Sequence, residues 1–284
     1  MSDARTISTA DVAALLRAPG PHDDKYSRGV LGMVTGSTRY PGAAVLGVEA
    51  ALRTGLGMVR YLGPARAADL VLQRRPETVT AEGRVQAWVL GSGMEAGAVD
   101  AVMGHPDDLE AEARVRAALA SGHPLVIDAG VLGSVARATG PAIITPHAGE
   151  LARLLDLSVD EVRADPAGVA RTAAESLGVA VLLKGNATHV VAPGGPMLVA
   201  RSAPAWLATA GAGDALAGIL GALVASHAAA GPLELSILAR LGAAAAVVHG
   251  LAAQRASAGG PLVVLDVCAA VPATIAALLR APTG

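Results

Sequence analysis

The chain is poor in aromatic and in charged residues. Aromatic residues are only 2% of the 284 residues and phenylalanine is absent, so the core must consist of Ala, Val, Leu and Ile. Charged residues make up 16%, below the roughly one quarter typical of globular proteins, and the formal net charge is -2. Because the sequence has no basic patch with interleaved aromatic residues, nucleic-acid binding has little support.

Cysteine and targeting signals are scarce as well. The single cysteine, Cys268, excludes an intramolecular disulfide and is consistent with a reducing compartment. The first residues are polar and mixed in charge, without the apolar core of a signal peptide. The longest runs of low charge are rich in Ala and Gly, and we interpret them as buried helices and not as membrane spans. We therefore expect a soluble cytoplasmic protein.

Apolar runs typical of buried strands alternate with helical patterns along the chain. The predicted strands are residues 30–34, 58–62, 87–90, 125–130, 142–145 and 179–183, then a hairpin of 189–192 and 197–200, and a last strand at 262–265. This alternation predicts a single α/β domain over residues 1–284, with a mainly parallel sheet covered on both faces. Ligands bind such sheets at the carboxyl ends of the strands, where the glycine- and acid-containing loops of this chain fall.

The strongest site signal is the glycine turn within residues 207–219. Gly211 and Gly213 bracket Ala212, and a long apolar helix follows. A glycine turn that opens into a helix leaves several backbone N–H groups unpaired at the positive end of the helix dipole, which favours an anion. Asp214 lies at the helix start, where it either caps the turn or takes a proton from a hydroxyl that is about to receive phosphate.

Lysine is rare, because only Lys25 and Lys184 are lysines among the 22 basic residues. Lys184 follows a buried strand and opens the segment 184–188. Its compact ammonium suits a phosphate that is bound by a point charge. The alternative is a plain surface turn between two strands.

A histidine lies beyond another strand end, in residues 145–150. Pro146 forces Thr145 into an extended conformation, which places His147 at the mouth of the site. His147 is either a polar contact for the substrate or a structural residue. Glu150 is better explained as the capping-box partner of the helix that follows.

Three further features are less specific. Asp128, at the end of its strand, either holds a magnesium-bound water or caps a neighbouring turn. The loops of residues 36–43 and 91–94 contain glycines that permit a ligand to approach the backbone closely. The histidines other than His147, His249 among them, show no metal-ligand spacing and are given no role.

Taken together and in this order, these motifs resemble those of the ADP/ATP-dependent NAD(P)H-hydrate dehydratase family of the ribokinase-like superfamily. The matching stretches are residues 36–44, 89–93, 126–129, 145–150, 184–188 and 207–214. The resemblance covers about residues 25–280 and implies a ribokinase-like three-layer α/β/α fold, with residues 1–24 as an N-terminal extension packed on it. It also implies an activity, the repair of the S epimer of NAD(P)H hydrate, in which the ring hydroxyl is phosphorylated and lost as phosphate while ADP becomes AMP.

The resemblance assigns roles to residues of this sequence. Asp214 would be the catalytic base, and the backbone of Gly211, Ala212, Gly213 and Asp214 would form an anion hole. The nucleotide would contact Lys184, Gly185, Asn186, Ala187, Thr188 and Gly213. The hydrated dinucleotide would contact Ala43, Gly93, His147 and Asp214. Magnesium would bridge the phosphates, with Asp128 as its candidate protein ligand.

Three positions depart from the family pattern. The family often has Gly-Pro-Gly-Leu-Gly where residues 91–95 are Gly-Ser-Gly-Met-Glu, an acid where this chain has Gly130, and threonine at position 212. The epimerase domain that often accompanies the dehydratase is not expected in this chain, so a separate epimerase is implied, together with a homo-oligomer. The sequence leaves open whether the Ala-rich residues 233–256 form a subunit interface or core.

Two alternatives have the same fold. A kinase for a vitamin-precursor alcohol would use Asp214 in the same way but release a stable phosphorylated product. A nucleotide-binding protein without catalysis is the other, and the joint presence of Gly211, Gly213, Asp214 and Lys184 argues against it.

Overall fold

A single sheet is the centre of the fold. The structure is a computed structural model that describes residues 4–95, 97 and 105–280. Its strands are β1 (Ala4–Thr6), β2 (Val30–Val34), β3 (Met58–Tyr61), β4 (Ala87–Leu90), β5 (Leu125–Ile127), β6 (Ala142–Ile144), β7 (Ala180–Leu183), β8 (Thr188–Val191) and β9 (Met197–Ala200). Within the described residues they pair in the order β1-β9-β8-β7-β6-β5-β4-β2-β3.

The strand directions confirm the predicted, mainly parallel sheet. Neighbouring strands from β3 through β7 all pair in parallel. Among the described strands, β8 alone runs antiparallel to both of its neighbours, as the predicted hairpin requires. β1 pairs in parallel with β9 at the edge of the sheet. The carboxyl ends of the parallel strands therefore meet at one edge, where ligands bind in open α/β sheets.

Helices cover both faces of this sheet. They are α1 (Thr9–Ala13), α2 (Pro41–Thr54), α3 (Ala65–Arg74), α4 (Pro106–Leu119), α5 (Ala148–Leu155), α6 (Val159–Ala164), α7 (Pro166–Leu177), α8 (Ala212–Ala228), α9 (Leu235–Ser257) and α10 (Val264–Arg280), with 3-10 helices at Ala129–Arg137 and Ala205–Leu207. Buried residues of α2, α8, α9 and α10 pack with Leu31, Val89 and Ile143 on one face. Residues of α4 to α7 pack with Leu90 and Ile144 on the other, which gives three layers.

Small residues bring α2 and α8 into close contact. A Cβ atom at Gly218 would lie 2.2 Å from the carbonyl oxygen of Gly47, so a side chain there would overlap the backbone of α2. One turn earlier, a Cβ atom at Gly47 would lie 3.5 Å from the carbonyl oxygen of Asp214. The contact thus fixes the start of α8, which carries Asp214, against the first half of α2.

The long apolar helix α9 belongs to the core. By length and composition it is the one helix of the described residues that could cross a membrane, yet 72% of its apolar window is buried inside the fold. Its buried residues include Leu238, Leu241 and Val248. The Ala-rich stretch 233–256 is therefore explained by core packing, and it supplies no support for a subunit interface.

The predicted strand at 262–265 is wrong, because α10 begins at Val264. Val264, Val267, Cys268 and Val271 are buried at helical spacing against the other helices. A short apolar run cannot be assigned to strand or helix by periodicity alone, and here the tertiary contacts decide.

Other differences concern boundaries and short elements. The predicted strand 125–130 ends at Ile127, since a 3-10 helix starts at Ala129. The sequence reasoning missed β1 and α6, which are only three and six residues long.

Glu49 of α2 forms a buried ion cluster with three arginines. Its side chain is 0% exposed, with the Nε atoms of Arg53 and Arg74 at 2.6 Å and 3.3 Å and Arg75 in short contact. Burial alone would raise the pKa of Glu49, but the hydrogen bonds and charges of Arg75 and Arg53 lower it to about 2. The cluster links α2 to the end of α3.

We predict that Glu49→Ala lowers the free energy of unfolding by about 3 kcal/mol at neutral pH, because three arginines lose their buried counter-charge. The loss is limited because the arginines are partly exposed to water. Glu77→Ala is the matched control, since Glu77 is 52% exposed and lies 3.5 Å from the same Arg75. It should cost less than about 1 kcal/mol.

The pH dependence has a definite sign. The pKa of Glu49 is lower in the folded state than the ordinary 4.5, so its stabilisation is complete above that pH and is lost as the pH falls towards 2. Urea denaturation at several pH values should show the difference between wild type and Glu49→Ala shrinking below pH 4.5. A difference that stays constant down to pH 3 (about 1.5 units lower) would contradict this account.

Candidate active site

A cavity of about 830 Å³ opens at the carboxyl ends of the strands, beside the start of α8. Its wall combines charged residues from strand ends with the loop before α8. It is lined by Asp128, Ala129, His147, Glu150, Lys184, Gly185, Asn186, Thr188, Ala203, Pro204, Ala205, Leu207, Ala208, Thr209, Ala210, Gly211, Ala212, Gly213, Asp214, Leu216, Ala246 and His249. The structure thus brings together most of the residues that the sequence predicts for the site.

Gly211 shapes the turn that opens α8. It is the N-cap residue with a φ of 89°, a left-handed conformation that favours glycine, and a Cβ atom there would lie 2.4 Å from Cδ1 of Leu46. The N–H of Ala212 is directed at the carbonyl oxygen of Thr209 over 3.4 Å. The N–H groups of Gly213 and Asp214 belong to the first helical turn, which has no intrahelical acceptors for them. Those two groups are the better donors for an anion.

Asp214 does not cap this turn. Its carboxylate accepts no hydrogen bond from the residues that the structure describes. Burial and the nearby charge of Asp128 raise its pKa, Lys184 acts in the opposite direction, and together they bring it to about 6. A carboxylate with these properties is half-protonated near pH 6 and can take a proton at neutral pH.

Asp128 is held rigidly below the cavity. It is 2% exposed, and its Oδ2 accepts a hydrogen bond from Ser92 Oγ at 2.8 Å. Its Oδ1 accepts from Thr145 Oγ1 at 2.7 Å and from Lys184 Nζ at 2.9 Å. The side chain does not cap the 3-10 helix that begins at Ala129, so the turn-capping alternative is wrong.

Lys184 lies between the acids and the glycine turn. Its Nζ is 3.7 Å from Glu150 Oε2 and would be 3.4 Å from a Cβ atom at Gly213. Burial alone would lower the pKa of Lys184, but Asp128 and Glu150 raise it above its ordinary value, with a contribution from Asp214. The ammonium is therefore a fixed positive charge at the wall of the cavity, whereas Gly185 and Asn186 are exposed between β7 and β8.

His147 is the N-cap residue of α5 at the cavity mouth. Its Nδ1 accepts hydrogen bonds from the backbone N–H groups of Gly149 at 3.0 Å and Glu150 at 3.2 Å. Glu150 completes the predicted capping box by accepting from the N–H of His147 at 2.8 Å. Since Nδ1 is an acceptor, the proton is on Nε2, in a side chain that is 58% exposed. That Nε2 lies 3.6 Å from Glu150 Oε1, so Glu150 is close to both ends of the His147 residue.

The predicted substrate residues Ala43 and Gly93 lie beside each other and do not line this cavity. A Cβ atom at Gly93 would be 2.4 Å from Cβ of Ala43 and 3.2 Å from Cα of Gly36. The loop before α2 is fixed because the N–H of Gly36 donates to the carbonyl oxygen of Ser92 at 2.6 Å. Ala187, predicted to contact the nucleotide, does not line the cavity either.

Two of the departures from the family pattern have structural explanations. Ser92 donates to Asp128, so this loop has a polar role of its own. A Cβ atom at Gly130 would lie 2.5 Å from the carbonyl oxygen of Met94 and 2.6 Å from that of Glu95. The path of the 91–95 backbone therefore leaves no room for an acid at position 130.

Sequence reasoning missed several participants. Ser92 and Thr145 lie within the predicted motifs, but their hydrogen bonds to Asp128 connect different loops and carry no local signal. His249 was given no role and yet lines the cavity from α9. The described residues contain no group of three or more His, Cys, Asp or Glu side chains that could hold a metal ion.

The charges around Asp214 make a testable pair of predictions. Asp128→Asn should lower the pKa of Asp214, because a neighbouring negative charge is removed, and Lys184→Gln should raise it. The titration is measured by NMR of ¹³C-labelled aspartate carboxyl groups, with Asp214→Asn assigning the signal. Asp160→Asn is the control, since Asp160 is 95% exposed and belongs to α6. An unchanged midpoint in Asp128→Asn would show that the two carboxylates do not interact.

Comparisons with known proteins agree with this geometry. The family model described as NAD(P)H-hydrate dehydratase matches residues 31–268. The bifunctional NAD(P)H-hydrate repair enzyme Nnr of Mycobacterium tuberculosis is 42% identical over 240 residues, which are 79% of this chain and 47% of that protein. The ADP-dependent (S)-NAD(P)H-hydrate dehydratase of Xanthomonas campestris is 35% identical over 238 residues, 75% of this chain and 79% of that protein. The chain spans about half the length of the bifunctional relatives.

Solved structures support the same fold. The ADP/ATP-dependent NAD(P)H-hydrate dehydratase of Bacillus subtilis, co-crystallized with ATP/Mg2+, superposes with a TM-score of 0.80 at 24% identity and covers 96% of this chain and 98% of that one. A ribokinase-like superfamily protein of Enterococcus faecalis gives 0.82 at 19% identity, covering 99% and 98%. With most of its length matched by the family model, the chain has a ribokinase-like fold and belongs to the NAD(P)H-hydrate dehydratase family.

Proposed function

We propose that this chain dehydrates the S epimer of NAD(P)H hydrate at the expense of a nucleotide phosphate bond, with ADP as phosphate donor. The observation that supports it best is the Asp214 carboxylate at a glycine-opened helix start, which accepts no hydrogen bond from the described residues and has its pKa raised to about 6. A base for phosphoryl transfer to a hydroxyl needs these properties. The family model and the name of the Xanthomonas relative agree with this reaction.

In the proposed reaction, Asp214 accepts the proton of the ring hydroxyl as the hydroxyl oxygen attacks the terminal phosphorus of ADP. The bond between that phosphorus and the bridging oxygen breaks, and AMP leaves. The phosphorylated carbon–oxygen bond then breaks, assisted by the electron pair of the ring nitrogen. Phosphate leaves with that oxygen, and loss of a proton from the neighbouring ring carbon then restores NAD(P)H.

The other residues of the site have roles in binding and charge stabilisation. The N–H groups of Gly213 and Asp214 and the ammonium of Lys184 are placed to stabilise the transferring phosphoryl group. We propose that Gly185, Asn186 and Thr188 contact the nucleotide, since they line the same cavity. Ala187 does not line the cavity, and it belongs to the proposed nucleotide segment only because it lies between Asn186 and Thr188 in the chain.

For the dinucleotide, we propose contacts with Ala43, Gly93, His147 and Asp214. Ala43 and Gly93 lie side by side, and His147 lines the cavity with a side chain that is 58% exposed. Bound between these groups, the hydrate would present its hydroxyl to Asp214.

Magnesium fits the site as a companion of the phosphates, whose charge it neutralises. The described residues hold no cluster of three acidic, His or Cys ligands. We therefore propose that the phosphates of the nucleotide supply most of the ligands and that the ion binds together with the nucleotide. Asp128 is the candidate protein partner, although both of its oxygens already accept hydrogen bonds from protein groups.

The physiological setting follows from the same proposal. The relatives named bifunctional are about twice as long as the matched region, which supports a functional link to an NAD(P)H-hydrate epimerase. We propose that a separate epimerase supplies the S epimer and that the chain acts in the cytoplasm. A homo-oligomer stays a prediction.

The activity is tested by incubating the chain with NADH hydrate or NADPH hydrate, magnesium, and either ADP or ATP. We expect the absorbance of the reduced nicotinamide ring to return, with AMP and phosphate released when ADP is supplied. No recovery with either nucleotide would reject the proposal. A lasting phosphorylated alcohol in the mass spectrum would favour the kinase alternative.

Asp214→Asn should abolish turnover, with a loss of at least about 100-fold in kcat, because the hydroxyl loses its base. Nucleotide binding should persist, since the change removes a negative charge beside the phosphates. Calorimetry with ADP and the absorbance assay separate the two effects. Activity comparable to that of wild type would remove Asp214 from the role of base.

The pH profile follows from the pKa of Asp214, which is about 6. The base must be ionised, so kcat/KM should be nearly constant above this pH and fall about tenfold per pH unit below it. In Asp128→Asn the fall should begin at lower pH. A profile that is flat from pH 5 to 8 (about one unit below to two above the midpoint) would contradict the assignment.

A further inference from the structure

A second cavity, of about 620 Å³, lies at the opposite edge of the sheet from the candidate active site. Its wall includes Gln86, Pro124 and Pro141, which immediately precede β4, β5 and β6, so it opens at the amino ends of these strands. None of the residues to which the proposed function assigns a role lines it. The second cavity is therefore separate from the site of the proposed reaction.

Gln86 presents an unpaired amide to this cavity. The residue is 7% exposed, and its Oε1 accepts a hydrogen bond from the N–H of Val30 at 2.7 Å, which fixes the orientation of the amide. Its Nε2 donates to no described residue and keeps contact with solvent, so the amide N–H groups are left for a ligand. Donors without an acceptor in a largely buried side chain favour a ligand that supplies oxygen lone pairs.

The charge of the wall favours an anion. Arg84, two residues before Gln86, lines the cavity and has no acidic partner among the described residues. His123 is the other basic residue, and no Asp or Glu belongs to the described wall. Because arginine is always charged, the wall matches a single negative charge, which a carboxylate carries and a phosphate exceeds.

Apolar groups make up most of the remaining wall. They are Val85, Trp88, Pro124, Pro141, Pro232 and Leu233. The indole of Trp88 lies against β2, since a Cβ atom at Gly32 would be 2.3 Å from its Cε3. Its Nε1 is enclosed, so carbon atoms of the ring form the partly exposed side of Trp88. A flat aromatic ligand can pack on such a surface.

Hydrogen bonds hold this wall in place. Arg60 Nε donates to the carbonyl oxygen of Arg84 at 3.2 Å, which fixes the segment before β4. On the other side of the cavity, the N–H of Gly122 donates to Thr139 Oγ1 at 3.1 Å. The cavity is thus formed before any ligand binds, which lowers the entropic cost of binding.

We propose that this second cavity binds a small planar aromatic carboxylate. The carboxylate lies between the amide of Gln86 and the guanidinium of Arg84, both of which donate hydrogen bonds to its oxygens, and the ring packs against Trp88. The proposal is independent of the proposed dehydratase activity, because the two cavities share no residue.

The two tryptophans of the chain make the test site-specific, because each lies beside a different cavity. Trp88 lines the second cavity, and Trp206 lies between two residues that line the first, Ala205 and Leu207. Cinnamate is titrated into ¹⁵N-labelled protein while the two indole N–H signals are followed by NMR, with Trp206→Tyr assigning them. We expect the Trp88 signal to shift with a Kd of about 1 mM or below. Cinnamamide, which has the same ring but no charge, should bind at least about tenfold more weakly.

Two variants test the polar contacts. Gln86→Glu keeps an acceptor for the N–H of Val30 and replaces the amide donors by a negative charge, so at pH 8 (about neutral to slightly basic) cinnamate should bind at least about tenfold more weakly. Arg84→Gln, at an exposed position, should weaken cinnamate binding about threefold and leave cinnamamide binding unchanged. Arg66→Gln is the matched control, since Arg66 is another exposed arginine that lines neither cavity, and it should change neither affinity.

The contrary outcomes are distinct. A Trp88 signal that stays unchanged up to about 10 mM cinnamate, or a shift of the Trp206 signal alone, would overturn the proposal. Equal affinity for cinnamate and cinnamamide would show apolar packing without recognition of the charge, and would overturn it as well. Cinnamate affinity that is unchanged in both Arg84→Gln and Gln86→Glu would also reject the assigned contacts. If Gln86→Glu does not fold, the comparison of the two probes in wild type and in Arg84→Gln decides.

Discussion

The buried contact between Lys184 and Asp128 is the interaction on which the rest of the site depends. Two carboxylates, Asp128 and Asp214, share a poorly solvated end of the sheet, and they repel one another. The ammonium of Lys184, 2.9 Å from Asp128, makes that arrangement tolerable. Hydrogen bonds from Ser92 and Thr145 also hold the carboxylate of Asp128 in place beside the lysine. As a consequence, Asp128 anchors the lysine and Asp214 keeps a raised pKa.

The scarcity of large side chains has a direct structural effect. With Gly47, Gly218 and alanines at the contact, α2 and α8 approach until backbone meets backbone. That approach sets Leu46 and Gly47 of α2 against the start of α8, so the position of Asp214 is set by helix packing and not by flexible side chains. A core richer in phenylalanine would hold these helices further apart.

Much of the fold could be predicted from the sequence because its signals are local. Strand β2, helix α7 and the hairpin of β8 and β9 each have a clear period and clear ends. The segment 262–265 failed because four apolar residues fit either a strand or a buried helix turn, and only packing against α2 and α9 distinguishes them. In the site, the glycine turn and Lys184 were visible as motifs. The partners of Asp128 and the position of His249 depend on contacts between distant segments, and no single stretch of sequence records them.

Two departures from the family pattern, the segment 91–95 and Gly130, depend on one another. Gly130 lies against the backbone of Met94 and Glu95. A side chain at position 130 would collide with carbonyl oxygens 2.5 Å and 2.6 Å away, whatever its charge. Restoring an acid there by itself would displace the backbone of residues 91–95. The two segments therefore have to change together. A chimera with a family member has to transfer both residues 91–95 and residues 128–130.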